Sequence, residues 1–252
     1  MKEKITEILG IVLDLLFPPV CLACRRRLNR SETTNLSEST NSSPFSFLCP
    51  SCSQKIKINN TAFCPICSRR LPENNKTCHR DSPFVLAAAG FYGDKVLDEL
   101  IALLKYQKIK QAAIPLGEIL SRYLNNLIAG GLEIKDFLII PVPLHWRKEK
   151  QRGFNQSNLI ADCLLKNTGL PAVKNILKRI KNTASQVELK DKEKREINVK
   201  NCFLAEKSDL LNGKNIILLD DVFTTGATMK EAALTIKKSG ARKIIGLVAA
   251  KT

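Results

Sequence analysis

Apolar residues fall along this chain in two rhythms. From residue 83 onward, short unbroken apolar runs alternate with stretches in which apolar positions return every three or four residues. The unbroken runs predict strands over 84–92, 137–142 (F-L-I-I-P-V), 173–179, 216–219 (I-I-L-L) and 243–250, with a further short strand over 201–204. The periodic stretches predict amphipathic helices over 95–106, 116–127 and 155–165, and one more that opens at a turn over 224–228 and runs to about 239. Such alternation builds a parallel sheet covered by helices on both faces, and it places a ligand at the C-terminal strand edges. At the start of the chain, Ile5, Ile8, Leu9, Val12, Leu13 and Leu16 keep helical spacing until Pro18-Pro19 ends it. Residues 21–82 show neither rhythm and hold few large apolar side chains. Three units are therefore expected: an amphipathic helix (1–20), a small cysteine-bearing unit (21–82) and an α/β domain (83–252). Two polar segments interrupt them. Residues 29–47 are rich in Ser, Thr and Asn and read as a flexible loop, and residues 181–200 are strongly basic.

Composition narrows the class. The chain has 252 residues, 44% hydrophobic and 25% charged, as in ordinary globular proteins. Its net charge of +16 is less ordinary. Before Pro83 there are 12 basic against 7 acidic residues, and from Pro83 on the balance is +11, so both parts are basic. That favours anionic partners (phosphorylated small molecules, nucleic acid or acidic lipid), with a solvated basic surface as the alternative. Glu3, Glu7 and Asp14 interrupt the first helix, so it does not read as a secretory signal, and no apolar run is long enough to span a bilayer. A cytoplasmic protein is expected, in which cysteines stay reduced.

Seven of the nine cysteines lie between residues 21 and 78. They form Cys21-x-x-Cys24, Cys49-x-x-Cys52 and Cys64-x-x-Cys67, followed by Cys78. A C-x-x-C knuckle aims two thiolates at one cation, and two knuckles complete a tetrahedral zinc site. Cys21, Cys24, Cys49 and Cys52 are thus expected to hold a structural Zn²⁺ that supplies folding energy. Cys64, Cys67 and Cys78 give three ligands of a second site. Its fourth is His79, the better zinc ligand by chemistry, or Asp81, the better placed by spacing, and with neither these remain free thiols. Arg25, Arg26, Arg27 and Arg30, with Lys55, Lys57, Arg69, Arg70 and Arg80, are suited to a nucleic-acid backbone. Phe45, Phe47 and Phe63 either stack on bases or pack beneath the metal sites.

The most telling stretch is residues 216–229, I-I-L-L-D-D-V-F-T-T-G-A-T-M. A buried strand ends in Asp220 and Asp221. Thr224, Thr225, Gly226, Ala227 and Thr228 then make a small, hydroxyl-rich helix entrance suited to a phosphate. Carboxylates beside it suit the hydroxyls of an attached sugar. A Walker B strand needs a G-x-x-x-x-G-K-[ST] loop, and Gly213-Lys214 is followed by Asn215 instead.

The stretch resembles the signature of type I phosphoribosyltransferases, which bind phosphoribosyl pyrophosphate (PRPP). The resemblance implies that Asp220 and Asp221 hold the ribose 2′- and 3′-hydroxyls, that residues 224–228 wrap the 5′-phosphate, and that Mg²⁺ accompanies the pyrophosphate. It further implies a pyrophosphate loop at Pro143, Leu144, His145 and Arg147, with Arg152 among the counter-charges (Lys148 and Lys150 are others). His145 equally reads as a satisfied polar residue. Residues 181–200 correspond to a loop that closes over the site, or to a charged surface hairpin.

The cysteine knuckles, L-L-K-Y (103–106), P-V-P-L-H (141–145), R-G-F-N-Q (152–156) and D-D-V-F-T-T-G-A-T (220–228) together resemble the ComF family of competence proteins, over nearly the whole chain. The Thr183-x-x-Gln186 and Arg195-x-x-Asn198-Val199 spacings agree. The implied fold is a parallel-sheet, type I phosphoribosyltransferase-like α/β domain preceded by a small zinc ribbon. The implied role is uptake or processing of single-stranded DNA during competence, with other competence proteins as partners. An active phosphoribosyltransferase with a nucleobase or amine acceptor, and a catalytically silent DNA-uptake scaffold, are the alternatives. No residue is assigned as catalytic.

Overall fold

The computed structural model describes residues 18–28, 45–72, 77–79, 81–182, 199–206 and 208–252. The helix expected before Pro18, most of the loop over 29–47, and both the Thr183–Gln186 and Arg195–Asn198 spacings lie outside the described residues, as do Arg30 and Arg80.

One six-stranded sheet organises the molecule. Its strands are β1 (Ala62–Phe63), β2 (Arg70–Leu71), β3 (Val85–Phe91), β4 (Phe137–Pro141), β7 (Asn215–Phe223) and β8 (Lys243–Lys251), in the order β2-β1-β3-β8-β7-β4. β3, β8, β7 and β4 run parallel, while β1 joins the β3 edge antiparallel and carries β2. A separate antiparallel pair, β5 (Leu177–Arg179) and β6 (Phe203–Ala205), lies apart from this sheet. The helices are α1 (Pro50–Ser53), α2 (Lys95–Lys105), α3 (Ala113–Ala129), α4 (Trp146–Arg152), α5 (Gln156–Thr168) and α6 (Ala227–Lys238). The expected parallel-sheet α/β architecture led by cysteine knuckles is the one the chain adopts.

The strand alternation sorts side chains into two cores. Ala87, Ala89, Ile217, Leu219, Ile245 and Leu247 pack with Leu97, Leu100, Leu120, Tyr123 and Ile160 of α2, α3 and α5. Leu86, Ala88, Ile216, Leu218 and Val248 pack with Met229, Ala232 and Ile236 of α6 and with Leu177 and Phe203 of the β5–β6 pair. Each fully buried leucine or isoleucine here contributes roughly 1.5–3 kcal/mol. Asp94 starts α2 by accepting from the N–H groups of Val96 and Leu97 at 3.0 and 3.2 Å. A Cβ on Gly90 would come within 2.4 Å of Leu97 Cδ1, so glycine there lets α2 lie close on β3.

The first cysteine pairs are not set apart from this core. Cys21, Leu22, Leu28, Phe45 and Leu48 share it with α2 and α3. Ser46 donates to the Glu118 carboxylate of α3 through its backbone N–H (2.7 Å) and its hydroxyl (2.6 Å). Burial pushes Glu118 above the ordinary carboxylate range, opposed by those two bonds. Phe45 and Phe63 are both buried, so they pack inward and offer no face to a base.

Element ends moved for local reasons. The strand expected over 173–179 is confined to Leu177–Arg179, because Asn175 takes a left-handed φ of 64°. The chain ahead of it instead bonds to β4, with Ile139 N–H on the Pro171 carbonyl and Val173 N–H on the Ile139 carbonyl, both at 2.8 Å. β7 extends past the two acids to Phe223. Among the described residues, no helix is long and apolar enough to cross a membrane.

Candidate functional site

A cavity of about 230 Å³ opens where β4 and β7 end. β7 supplies Asp220 and Asp221, and the turn behind it supplies Thr224, Gly226 and Thr228. The segment after β4 supplies Pro143 and Leu144, and α4 supplies Lys148 and Arg152. Lys105, the last residue of α2, and Arg179, the last of β5, complete the charged lining.

The two acids have different surroundings. Asp220 Oδ1 accepts from the Asp221 N–H at 2.9 Å and from the Ser157 hydroxyl at 3.1 Å. Burial, then the neighbouring Asp221 charge, push Asp220 up to about 7, against Lys105, the Asp221 N–H and Ser157. Asp221 is buried, and its Oδ1 meets the Lys105 ammonium at 2.9 Å. Burial works to deprotonate Lys105, but Asp221 outweighs it and holds the ammonium above its ordinary value. Asp221 Oδ2 is buried with no hydrogen-bond partner among the described residues. An orphaned carboxylate oxygen costs stability unless a donor reaches it, so this corner fits a hydroxyl-bearing ligand.

The turn is shaped by Gly226. Its φ of 77° is left-handed, and a Cβ there would lie 2.4 Å from Phe223 Cζ. Only glycine lets the backbone close over the Phe223 ring and start α6 directly afterwards. Gly226 itself offers no side-chain cap to α6; Thr225 Oγ1 accepts weakly from the Ala227 N–H at 3.5 Å, and Gly226 and Thr228 at this helix start line the cavity. Thr225 lies towards a neighbouring hollow that it shares with Ile66, Asp81, Phe84 and Lys230, and Ala227 is buried.

R-G-F-N-Q is a joint between helices. Gly153 ends α4 with φ 89°. Asn155 caps α5 by accepting from the Ser157 N–H at 3.2 Å, and its amide donates to the Val142 carbonyl at 3.1 Å. The joint pins α5 to the end of β4, so that Ser157 reaches Asp220 and Arg152 donates to Gln156 beside the cavity. His145 does not line the cavity. It is buried and caps α4, its Nδ1 accepting from the Arg147 N–H at 3.4 Å. Burial, and then the charges of Arg147, Arg179 and Lys148, push its pKa down. Arg147 is exposed, with its guanidinium 5.2 Å from the Trp146 ring centroid.

The structure adds Lys105 and Arg179, to which the sequence reading gave no role. L-L-K-Y was the available signal for Lys105. For Arg179 it was only a strand end, which here pairs with His145 and so reaches the cavity rim.

Two thiol clusters stand elsewhere. Cys21, Cys24, Cys49 and Cys52 have ligand atoms within 4.8 Å of one another, as do Cys64, Cys67, Cys78 and His79. Tetrahedral zinc with bonds of about 2.3 Å to sulfur sets ligand atoms about 3.7 Å apart. The Cys24–Cys49 Sγ separation is 3.7 Å, Cys67–Cys78 is 3.3 Å, and His79 Nδ1 lies 3.4 Å from Cys64 Sγ and 3.3 Å from Cys78 Sγ. His79, and not Asp81, is the fourth member of the second cluster; Asp81 faces the hollow beside Thr225. Burial opposes ionisation of Cys49 and Cys64, but backbone N–H groups and neighbouring thiols outweigh it and bring them to about 7 and about 6. Both donor sets fit zinc.

The molecule is thus a mostly parallel α/β protein with an acid-pair and threonine-turn cavity, joined to thiol knuckles that form candidate zinc sites. No family model matches the chain. Curated relatives do. Competence protein F of Haemophilus influenzae is 38% identical over 107 residues, 42% of this chain and 46% of the relative. Competence protein ComFC of Bacillus subtilis is 36% identical over 106 residues, 42% and 40% of the two chains. DNA utilization protein YhgH of Escherichia coli K12 is 32% identical over 149 residues, 59% and 64%. By these relatives the chain is similar to the ComF family of competence proteins. The matches span about half the length of these relatives. Among solved structures, TT1426 from Thermus thermophilus is similar at 17% identity and a TM-score of 0.31, over 55% of this chain and 81% of that one, which is a slight likeness.

Proposed function

We propose that this chain binds PRPP with Mg²⁺ in the cavity at the ends of β4 and β7, and that it serves the uptake or processing of single-stranded DNA in the cytoplasm during competence. One observation carries the ligand assignment: a single cavity gathers an acid pair, a threonine turn at a helix start and the cations Lys148, Arg152 and Arg179. Each element answers one part of the ligand. Asp221, whose Oδ1 is held by Lys105, takes one ribose hydroxyl, and Asp220 takes the other. The turn over 224–228 receives the 5′-phosphate through backbone N–H groups and hydroxyls. Lys148, Arg152 and Arg179 balance the pyrophosphate. Mg²⁺, when bound, screens the pyrophosphate charge. If a nucleobase or amine is the acceptor, these residues contribute positioning and charge balance more than proton transfer.

The names of the relatives, two competence proteins and a DNA utilization protein, support the physiological half, as does the net charge of +16. Zinc in the Cys21–Cys24–Cys49–Cys52 and Cys64–Cys67–Cys78–His79 sets would be structural, with no ligand position left open. Isothermal titration of the zinc-loaded protein with PRPP and Mg²⁺ tests the reading. Saturable binding lost in Asp221→Ala is expected, and equal affinity in the variant would remove the ribose assignment. Pyrophosphate release with nucleobases or amines separates turnover from binding. A gel-shift series against salt tests the DNA half.

A further inference from the structure

The same sheet edge carries a second cluster of cations, beside the cavity and distinct from it. Phe223, Lys251 and Phe91 occupy one register row across β7, β8 and β3. Lys251 is only 5% exposed, and its ammonium lies 5.3 and 5.2 Å from the Phe63 and Phe91 ring centroids and donates to a main-chain oxygen of Thr252 at 3.3 Å. Arg70, on the outer ribbon strand β2, sets its guanidinium 5.3 and 5.9 Å from the same two rings. It donates to Thr61 Oγ1 and Asn59 Oδ1, neither of them charged. Among the described residues, no Asp or Glu side chain pairs with either cation.

Two like charges share one aromatic pair, and one of them is buried. Burial first, and then the Arg70 charge, lower the Lys251 pKa. The acids that follow Phe91 and Tyr92 are engaged elsewhere: Asp94 caps α2, and Asp98 accepts from the Gly93 N–H at 2.9 Å. Around this positive centre, Phe91 and Tyr92 are exposed at 42% and 56%. Tyr92 is tied at its backbone, its N–H bonding the Lys251 carbonyl at 2.7 Å, so its ring stands on a fixed base. A positive centre next to fixed, exposed rings is what a nucleic-acid strand with unpaired bases recognises, its phosphate on the cations and its bases on the rings. A duplex keeps its bases stacked inside and gains only the charge term.

We infer that the Arg70–Lys251–Phe91–Tyr92 edge is a docking surface for single-stranded DNA, with a phosphate at Arg70 above buried Lys251 and a base stacked on Tyr92. The inference rests on the DNA half of the proposed function and is independent of the PRPP half.

Fluorescence anisotropy of the zinc-loaded full chain, with a labelled oligothymidylate and a duplex of matched length, tests it. Tyr92→Ala should weaken single-strand binding about tenfold and leave duplex binding within about twofold, while Tyr92→Phe stays near wild type. Arg70→Gln should weaken both and reduce the salt slope by about one. Titration with PRPP should be unchanged in Tyr92→Ala, showing an intact fold and cavity. If the wild type binds the single strand and Tyr92→Ala binds it equally well, the surface is wrong while the DNA role stands. If the wild type binds no single strand, this inference and the DNA half fall together, and the PRPP titration still decides the cavity.

Discussion

The Lys105–Asp221 pair offers the sharpest test of the cavity. Its atoms are 2.9 Å apart, and the two side chains are 20% and 3% exposed. At an effective dielectric of about 20, unit charges at that distance attract by about 6 kcal/mol. Desolvation of both groups offsets most of this, so replacing the pair together should cost little. Removing one partner strands a buried charge and should cost about 3–5 kcal/mol. The variants are Lys105→Met, Asp221→Leu and the double, each with zinc held constant and unfolded in urea under far-UV circular dichroism. With a slope of about 2 kcal/mol per molar, each single variant should lower the midpoint by about 2 M. The double should return to within about 1–2 kcal/mol of wild type, a coupling of at least 2 kcal/mol. All three should lose PRPP binding. Strictly additive single effects, with coupling under about 0.5 kcal/mol, would refute the reasoning: the pair would then be screened by water and the corner would not be a low-dielectric ribose site.

Further outcomes follow from the same geometry. Asp220 is raised from 3.8 to about 7, so the native state holds its proton more tightly than the unfolded chain. The ligand-free protein should therefore lose stability as pH rises from about 4 to about 7, a trend that Asp220→Asn should flatten in thermal melts. PRPP affinity should move the opposite way, rising about tenfold between pH 6 and 8 as the carboxylate ionises, and calorimetry at a series of pH values reads it directly. Gly226→Ala combines a left-handed φ with the Phe223 contact and should cost about 2–4 kcal/mol, partly restored by Phe223→Leu. Cys49→Ser should remove about one zinc equivalent by mass spectrometry and metal analysis. His79→Ala should lower the second site's occupancy and Asp81→Ala should not; the reverse result would return the fourth ligand to Asp81.

Much of the architecture was readable because it is local. Strands over 85–91, 137–141 and 243–251 and the helices between them follow apolar periodicity within a few residues. Asp220, Asp221 and the turn behind them are contiguous, so one stretch of sequence announced them. Lys105 and Arg179 reach the cavity only through the stacking of α2 and β5 around it, which no spacing rule encodes. β1 and β2 are two residues each, too short for a period to register. The choice between His79 and Asp81 turned on chain direction after Cys78, where the fold brings the imidazole to Cys64. His145 had two sequence readings, and burial with the Arg147 N–H places it as a helix cap. Of the two readings of Phe45 and Phe63, stacking on bases or packing inward, burial selects the second, and sequence alone does not report burial.

The hollow next to Thr225 joins two parts of the molecule that chemistry would treat separately. Pro65 and Ile66, between two ligands of the second thiol cluster, face Phe223, Thr225 and Gly226 of the phosphate turn across it. On the proposed function, a zinc ion at the 64–67 knuckle would act on that turn through this shared wall. Thermodynamic reciprocity then requires that any factor by which zinc alters sugar-phosphate affinity be matched by an equal change in zinc affinity when the sugar phosphate is present. Metal supply and nucleotide-precursor supply would thus report on one another through a wall only a few side chains thick.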